Sequence, residues 1–247
     1  MKISGSTVLI TGASRGLGRH FAEELLARGA KVYATARDPE RVDIAGAERL
    51  RLDLLDPASV TAAAAAAPDV TLLINNAAIS LYQDLVTGDL DKIRRELDTS
   101  FYGTLSVVRA FAPVLAANGG GAILNVLSRL SWLSYPGANS YAAAKAAAWS
   151  LTNGVRLELA GQGTQVTGLL MSSTDTDMMS GWDIPKNDPA DVVRQALDGL
   201  EAGELEVLAD EDTRLAKAAL SADPGETYGA LLTQSGTHGD PEGGARQ

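Results

Sequence analysis

Tyr141 and Lys145 stand four residues apart in an Ala-rich stretch that is typical of a helix. Side chains at positions i and i+4 share one face of a helix, so the phenol and the ammonium group point the same way. A free tyrosine has a pKa near ~10, and a nearby positive charge lowers that pKa because it favours the phenolate. The spacing therefore predicts a pair that exchanges protons with a bound molecule.

A second group with chemical potential is the run Thr-Gly-Ala-Ser-Arg-Gly-Leu-Gly at residues 11–18. Gly12 permits a tight turn, Gly16 lets the backbone approach a pyrophosphate, and Gly18 allows a helix to pack closely on a strand. The helix that follows presents free N–H groups and the positive end of its dipole. Its position between a strand and a helix favours a phosphate-binding turn over an ordinary connection.

The end of the second predicted strand is occupied by Ala36 and Arg37. A protein that binds NAD needs a carboxylate at this point for the ribose 2′-hydroxyl, whereas the 2′-phosphate of NADP needs positive charge. Arg15, inside the Gly-rich run, is placed to bind the same phosphate through charge-assisted hydrogen bonds. NADP(H) is therefore the predicted cofactor. The alternative is that both arginines are merely solvated.

These residues must be positioned by elements that alternate along the chain. Strands are predicted over 7–10, 31–36, 50–52, 70–74, 122–127, 165–171 and 206–209, and helices over 17–28, 60–67, 89–117, 141–159, 189–200 and 213–220. The long helix is expected to bend near Gly103 or Pro113. Such alternation predicts a Rossmann-type α/β fold, a doubly wound parallel sheet of about seven strands with helices on both faces. We expect one domain over 1–234 and a flexible C-terminal tail over 235–247.

Composition excludes several classes of protein. Apolar residues make up 45% of the chain and charged residues 21%, as in an ordinary globular protein. The absence of cysteine excludes disulfides and thiolate catalysis. His20 and His238 are the only two histidines of the sequence, which disfavours a His-based metal centre and a Ser-His-Asp triad. The net charge of −10 argues against nucleic-acid binding. With no signal-peptide core and no stretch judged long enough to span a bilayer, a cytoplasmic location is expected.

The Gly-x3-Gly-x-Gly spacing, Asn75-Asn76-Ala77-Ala78 after the fourth strand, and Tyr141-x3-Lys145 occur together. With them the chain resembles the short-chain dehydrogenase/reductase family over roughly its first 180 residues. The resemblance implies reversible hydride transfer from NADPH to a ketone or aldehyde, with Tyr141 giving the proton. It also implies that Ser128 holds the carbonyl oxygen and that Lys145 hydrogen-bonds the nicotinamide ribose.

The resemblance assigns further contacts with the cofactor. Asp53 matches the position that contacts adenine, Asn75 lies where the family's backbone passes the adenosine ribose, and Thr176 matches the threonine that binds the carboxamide. The expected cofactor-binding residues are Gly12, Ser14, Arg15, Gly16, Leu17, Gly18, Arg37, Asp53, Leu54, Asn75, Ala77, Tyr141, Lys145 and Thr176.

The chain departs from the family pattern at three places. Ser100 stands where the family has an asparagine that organises a proton-relay water, and a serine hydroxyl can still hold a water with different geometry. Ser172 and Ser173 stand where relatives have a Gly-containing turn. Arg129, directly after Ser128, either binds an anionic substrate or faces solvent, and solvent is slightly favoured.

The expected wall of the substrate pocket is rich in apolar and aromatic side chains, which favours a bulky apolar or aromatic substrate. Each aromatic residue alone is about as consistent with plain packing. The predicted pocket residues are Tyr82, Arg129, Leu130, Trp132, Leu133, Tyr135, Ser172, Ser173, Met178, Met179 and Trp182.

Two other functions stay open at this point. One is a non-catalytic NADP-binding regulator, which the presence of Ser128, Tyr141 and Lys145 disfavours. The other keeps the scaffold but changes the reaction to imine reduction or epimerisation. The helices from residue 89 and from residue 141 are apolar on more than one face, and family members pair such helices, so a homodimer or homotetramer is expected.

Overall fold

The computed structural model describes residues 1–234, so the predicted flexible tail over 235–247 lies outside the described residues. The strands are β1 (Thr7–Ile10), β2 (Lys31–Ala36), β3 (Glu48–Arg51), β4 (Leu72–Asn75), β5 (Ala122–Val126), β6 (Gln165–Leu170) and β7 (Glu206–Leu208). The helices are α1 (Gly16–Ala27), α2 (Pro57–Ala66), α3 (Leu90–Leu97), α4 (Thr104–Ala117), α5 (Asn139–Glu158), α6 (Pro189–Ala202), α7 (Glu211–Ala218) and α8 (Pro224–Gln234).

The seven strands form one parallel sheet in the order β3-β2-β1-β4-β5-β6-β7. The predicted Rossmann-type α/β fold is confirmed. The order reverses between β1 and β4, where Val8 pairs with Leu72. In open parallel sheets, ligands bind at this reversal, outside the carboxyl ends of the strands.

Each face of the sheet carries its own hydrophobic core because side chains alternate along a strand. Val8 and Ile10 of β1 join the core that contains Phe21 of α1. Leu9, between them, joins the opposite core with Phe111 of α4. The sheet is thus covered on both faces, which fixes its carboxyl edge as the open side.

The long helix predicted over 89–117 is interrupted rather than simply bent. A π-helical segment, Asp98–Gly103, separates α3 from α4 and ends at Gly103, one of the two positions at which a bend is expected. A Cβ at Gly103 would lie 2.8 Å from Leu54 Cβ, so only glycine lets this helix approach the loop after β3. Short π segments occur frequently at functional sites.

The structure departs from the sequence-based expectations at two helical stretches, α8 and Leu90–Ala117. Helix α8 was not predicted, although Pro224 at its first position is compatible with a helix start. Among the described residues, Leu90–Ala117 is also long and apolar enough to cross a membrane by length and composition, contrary to expectation. Phe111 and Leu115 of this stretch are fully buried against the sheet, as in a core helix.

Candidate active site

A cleft of about 690 Å³ opens at the carboxyl edge of the sheet, above the reversal between β1 and β4. It brings together most of the residues predicted for the site. They are Gly12, Ser14, Arg15, Gly16, Leu17, Arg37, Asp53, Leu54, Ala77, Ser128, Arg129, Leu130, Tyr135, Tyr141, Lys145, Ser172, Ser173, Thr176, Met178 and Trp182. The cleft is large enough for a small-molecule cofactor or ligand.

The Gly-rich run forms the turn from β1 into α1 at one end of the cleft. Gly12 and Gly16 both have positive φ, and a Cβ on Gly12 would lie only 2.9 Å from Ala77 Cβ. Gly18 does not line the cleft; a Cβ there would collide with Gly12 O at 2.2 Å, so this glycine lets α1 approach the turn that precedes it. No side chain caps α1 within the described residues. Its first N–H groups are therefore free of a side-chain partner, as an anion site requires.

Arg37 lies at the end of β2 with an exposed side chain on the cleft rim. Arg15 also lines the cleft, but its Nη1 lies 3.1 Å from Asp177 Oδ2, in an ion pair that is largely exposed to solvent. Exposed ion pairs of this kind contribute at most about 1 kcal/mol, so a stronger anionic partner can displace Asp177 from Arg15. Two guanidinium groups thus flank this end of the cleft.

Asn75, expected near the adenosine ribose, does not line the large cleft. Asn75 is buried in β4 and its Nδ2 donates to Asn125 Oδ1 at 2.8 Å, away from the large cleft. Asn76 lines the cleft instead, and its Nδ2 donates to the backbone oxygens of Thr11 and Gly12, both at 3.0 Å. Asn76 therefore supports the Gly-rich turn directly.

Ser128, Tyr141 and Lys145 meet at the floor of the cleft, Ser128 from the end of β5 and the other two from α5. Lys145 is 4% exposed, and its Nζ donates to Val126 O at 2.8 Å. The same Nζ lies 5.6 Å from the centre of the Tyr141 ring. The shared helix face predicted for Tyr141 and Lys145 therefore exists, with both groups open to the same cavity.

The acidity of these groups differs from the sequence expectation, in which Lys145 lowers the pKa of Tyr141. Burial raises the pKa of the Tyr141 phenol, the charges of Glu96 and Tyr82 raise it further, and a hydrogen bond from Ser128 acts in the opposite direction. Burial lowers the pKa of Lys145 to about 8. Desolvation thus has the largest effect on the pKa of both groups.

The lowered pKa of Lys145 makes stability depend on pH. Between pH 8 and 10 the unfolded chain still holds the lysine proton while the folded chain has released it, so the free energy of unfolding rises with pH. We expect Lys145 to contribute a rise of about 2 kcal/mol over this interval. Urea unfolding at several pH values measures it.

Lys145→Met is the matched control for that measurement. Its loss of the bond to Val126 O shifts stability by an amount independent of pH, so only the slope is compared. Equal slopes for the two proteins between pH 8 and 10 would contradict the assignment.

A separate small cavity of about 10 Å³ lies behind Lys145. Ser100 of the π segment lines it together with Asn75, Thr104 and Asn125. The Ser100 hydroxyl and Asn75 Oδ1 are buried and have no hydrogen-bond partner among the described residues. A cavity of this size with several polar groups can hold one water molecule.

The other end of the cleft is apolar and lies under residues 172–188, which we call the roof loop. Tyr82, Leu130, Tyr135, Met178, Met179 and Trp182 line it as expected, and Ile184 joins them. Trp132 and Leu133 do not line the cleft; Trp132 packs edge-on against Trp149, with ring centres 6.2 Å apart. Their place after β5 suggested the pocket, but the structure packs Trp132 against α5 instead.

Arg129 is neither a free cation nor simply solvated. It lines the cleft and its Nη1 lies 3.2 Å from Asp212 Oδ2 at the start of α7. Ser172 is also held from this side, since its backbone N donates to Asp210 Oδ2 at 2.7 Å. The start of α7 and its N-cap Asp210 thus contact residues that line this part of the cleft, a connection that the sequence pattern did not indicate.

Sequence reasoning missed several other residues. Glu96 is fully buried, and its Oε1 accepts a hydrogen bond from Leu81 N at 2.5 Å. It stands in the charged run Leu-Asp-Lys-Ile-Arg-Arg-Glu-Leu, where a carboxylate looks solvated. The only signal was its helical spacing of three from the apolar Ile93. Thr174 and Asp177 were missed because loop residues carry no periodic pattern. Asp212 was missed because the helix was predicted to begin at residue 213, whereas α7 begins at Glu211.

The sheet order, the Gly-rich turn at its reversal and the polar trio on the cleft floor define a dinucleotide-binding protein of the oxidoreductase type. Comparison with known proteins gives the family: a model described as short chain dehydrogenase matches residues 6–186. The chain belongs to the short-chain dehydrogenase/reductase family.

Two curated relatives are reductases by name. NADPH-dependent 1-acyldihydroxyacetone phosphate reductase of Schizosaccharomyces pombe is 34% identical over 182 residues, which are 70% of this chain and 61% of that protein. The chain thus spans less than two thirds of that relative. D-erythrulose reductase of Gallus gallus is 32% identical over 201 residues, 78% of this chain and 82% of the relative.

Solved structures agree with the fold. A short chain dehydrogenase from Burkholderia cenocepacia, crystallised in complex with NADP, is 38% identical with a TM-score of 0.89, covering 94% of this chain and 99% of its own. A short-chain dehydrogenase from Sphingobium yanoikuyae in complex with NADPH is 28% identical with a TM-score of 0.77, covering 98% and 99%.

Proposed function

We propose that the chain is an NADPH-dependent oxidoreductase that reduces a ketone or an aldehyde to an alcohol, reversibly. The observation that carries the proposal is the convergence of Ser128, Tyr141 and Lys145 on the floor of the cleft that holds the Gly-rich turn at its other end. Two relatives named as reductases support the direction of the reaction.

The residues present fit NADP(H). The uncapped N-terminus of α1 and the Gly-rich turn would hold the pyrophosphate, and Arg37 and Arg15 the 2′-phosphate. Asp53 and Leu54 would bind the adenine, while Thr176 and Lys145 would bind the nicotinamide end. When bound, the cofactor supplies the hydride.

The protein's part in the reaction is to orient the carbonyl group and to deliver a proton. Ser128 hydrogen-bonds the carbonyl oxygen, and Tyr141 donates its phenolic proton to that oxygen as negative charge develops. A raised pKa keeps the phenol protonated, which suits a donor. Lys145 beside it favours the phenolate once the proton has left, because its ammonium charge compensates the new anion.

Ser100 takes part in returning the proton to Tyr141. Its hydroxyl and Lys145 border the same water-sized cavity, so a water held there connects the lysine to the π segment. A serine thus does with one water what a longer amide side chain does in relatives.

Ser100→Ala is expected to lower kcat about 10-fold, because one link of the relay is lost while the direct donor stays. The Kd for NADPH should be unchanged. Ser131→Ala is the matched control, since the Ser131 hydroxyl is also buried without a hydrogen-bond partner among the described residues but lines neither the cleft nor the small cavity that Ser100 borders. Equal kcat values for the two variants would rule out a relay through Ser100.

The substrate class follows from the apolar end of the cleft. Leu130, Tyr135, Met178, Trp182 and Ile184 favour a bulky apolar or aromatic group beside the carbonyl. The Arg129–Asp212 pair compensates its own charges, which disfavours an anionic substrate. We further propose a cytoplasmic protein that forms a homodimer or homotetramer; size-exclusion chromatography with light scattering measures its mass.

The decisive experiment follows NADPH absorbance with a panel of aryl ketones and aldehydes, with product analysis. Consumption of NADPH with formation of the alcohol supports the proposal. Binding of NADPH without turnover of any carbonyl or imine indicates a cofactor-binding regulator instead. Turnover of imines alone indicates an imine reductase on the same scaffold.

A further inference from the structure

Two neighbouring residues of the roof loop are bound to two different segments that line the cleft. Asp177 pairs with Arg15 of the Gly-rich turn. The backbone oxygen of Met178 accepts a hydrogen bond from the Tyr82 hydroxyl, 2.8 Å away, in the loop after β4. The roof loop is therefore attached at two points, one in the segment after β1 and one in the segment after β4.

The base of the roof loop is held independently of these two supports. Asp175 N donates to Asn187 O at 3.0 Å, and Asn187 N donates to Ser173 O at 2.8 Å, which joins the two ends of the loop. Asn187 Nδ2 and Ser172 N both donate to Asp210 Oδ2. When the 2′-phosphate of bound NADPH displaces Asp177 from Arg15, loss of the Tyr82 contact would thus loosen the tip, residues 176–186, from the cleft. The base, to which Lys186 is also joined through its ion pair with Asp175, would stay folded.

Tyr82 has the only positive φ, +53°, among the non-glycine residues that the structure describes. A non-glycine residue with this backbone conformation is strained, and the conformation persists only where the surrounding structure holds it. Those surroundings are present on both sides: Leu81 N donates to the buried Glu96 Oε1, and Ser140 N donates to Gln83 O at 3.1 Å. The backbone strain directs the phenol of Tyr82 toward the roof loop.

The ring of Tyr82 also takes part in the apolar end of the cleft. Its centre lies 6.0 Å from that of Trp182, with the rings tilted by 39°. Both rings line the cleft together with Met178, whose backbone accepts the hydrogen bond. The Tyr82 ring thus lines the apolar end of the cleft, and its hydroxyl binds the roof loop.

We propose that Tyr82 is a specificity-determining residue: its hydroxyl holds the tip of the roof loop closed, so that bulky apolar substrates are enclosed by Met178 and Trp182. The inference rests on the proposed carbonyl reduction for its effect on substrates. Its effect on the roof loop does not depend on that function.

The test uses Tyr82→Phe, which keeps the ring and removes the hydrogen bond to Met178. Lys186 lies in the tip with a side chain that is 16% exposed, and trypsin cleavage after it reports opening of the roof loop. With NADPH bound, we expect this cleavage, followed by mass spectrometry of fragment 1–186, to be about three- to tenfold faster than in the parent protein. An unchanged rate would overturn the proposal.

Tyr102→Phe is the matched control, because Tyr102 is 61% exposed and does not line the cleft. Its cleavage rate should equal that of the parent protein.

In kinetics, Tyr82→Phe should raise KM about three- to tenfold for a bulky aryl ketone and leave KM for a small aliphatic ketone unchanged. Equal effects on both ketones would overturn the specificity role.

Failure of the proposed function is distinguishable from failure of this inference. If the parent protein reduces no carbonyl compound, the proposed function fails, and the trypsin measurement still decides whether Tyr82 holds the roof loop.

Discussion

Replacing Tyr141 with phenylalanine is expected to lower kcat by about 10²- to 10⁴-fold, the range typical of a lost general acid. The phenol is the proton donor of the proposed reaction, and Ser128 and Lys145 would remain in place around the unchanged ring. The Kd for NADPH, measured by fluorescence titration, should change little because removal of one hydroxyl leaves the Gly-rich turn and Arg37 intact. Steady-state NADPH consumption with an aryl ketone gives kcat.

The control for this prediction is again Tyr102→Phe, which removes an exposed hydroxyl outside the cleft lining. It should retain the parent kcat. If Tyr141→Phe keeps a kcat within about twofold of the parent protein, Tyr141 is not the donor and the mechanism proposed above is wrong.

Replacing Arg37 with aspartate is expected to reverse or abolish the preference for NADPH over NADH. The change removes hydrogen bonds to a charged group, each contributing about 1.5–3 kcal/mol, or about 10- to 150-fold in affinity. It also places a carboxylate where a ribose 2′-hydroxyl would bind and where a 2′-phosphate would be repelled. The ratio of kcat/KM for the two cofactors should therefore shift by at least about 10-fold.

Arg41→Asp controls for the change in net charge. Arg41 is exposed nearby, in the 3-10 turn Pro39–Arg41, and does not line the cleft. It should leave the cofactor ratio close to that of the parent protein. If Arg37→Asp still uses NADPH as efficiently relative to NADH, the assignment of the 2′-phosphate site to Arg37 fails.

The fold and one end of the site were predictable because they depend on periodicity and local turns. The alternation of strands and helices determined the parallel sheet, and the Gly-rich run could be placed at its edge without knowledge of tertiary contacts. The same holds for Tyr141 and Lys145, whose spacing alone puts them on one helix face. Local rules thus bring the main chemical groups to one edge.

The features of the site that could not be predicted depend on contacts between distant segments of the chain. Asn75 and Asn76 are adjacent, and strand alternation sends them to opposite sides, so choosing between them required the side on which each core lies. Leu73 faces α4, and Asn75, two residues later, faces the same side, toward Ser100. The two-residue alternation of side chains along β4 was therefore the sequence signal that Asn75 faces α4.

The electrostatics of the site were also beyond the sequence. The expectation that Lys145 lowers the pKa of Tyr141 assumed that proximity decides the outcome, but burial dominates both groups. The burial of Glu96 and its bond to Leu81 could not be read from a helix that is otherwise highly charged. Desolvation depends on the whole packed structure, whereas residue spacing reports only neighbours.

The π segment Asp98–Gly103 is a place where the chain can lose one residue. A π turn contains one residue more than an α turn, so the frame of the helical stretch is offset by one position between α3 and α4. Deletion of one residue within 98–103 would restore a regular helix and leave both flanking helices facing as they do now. The same deletion within α4 would rotate every later side chain by about 100°. The segment that carries Ser100 is thus where this helix can lose a residue and keep its core.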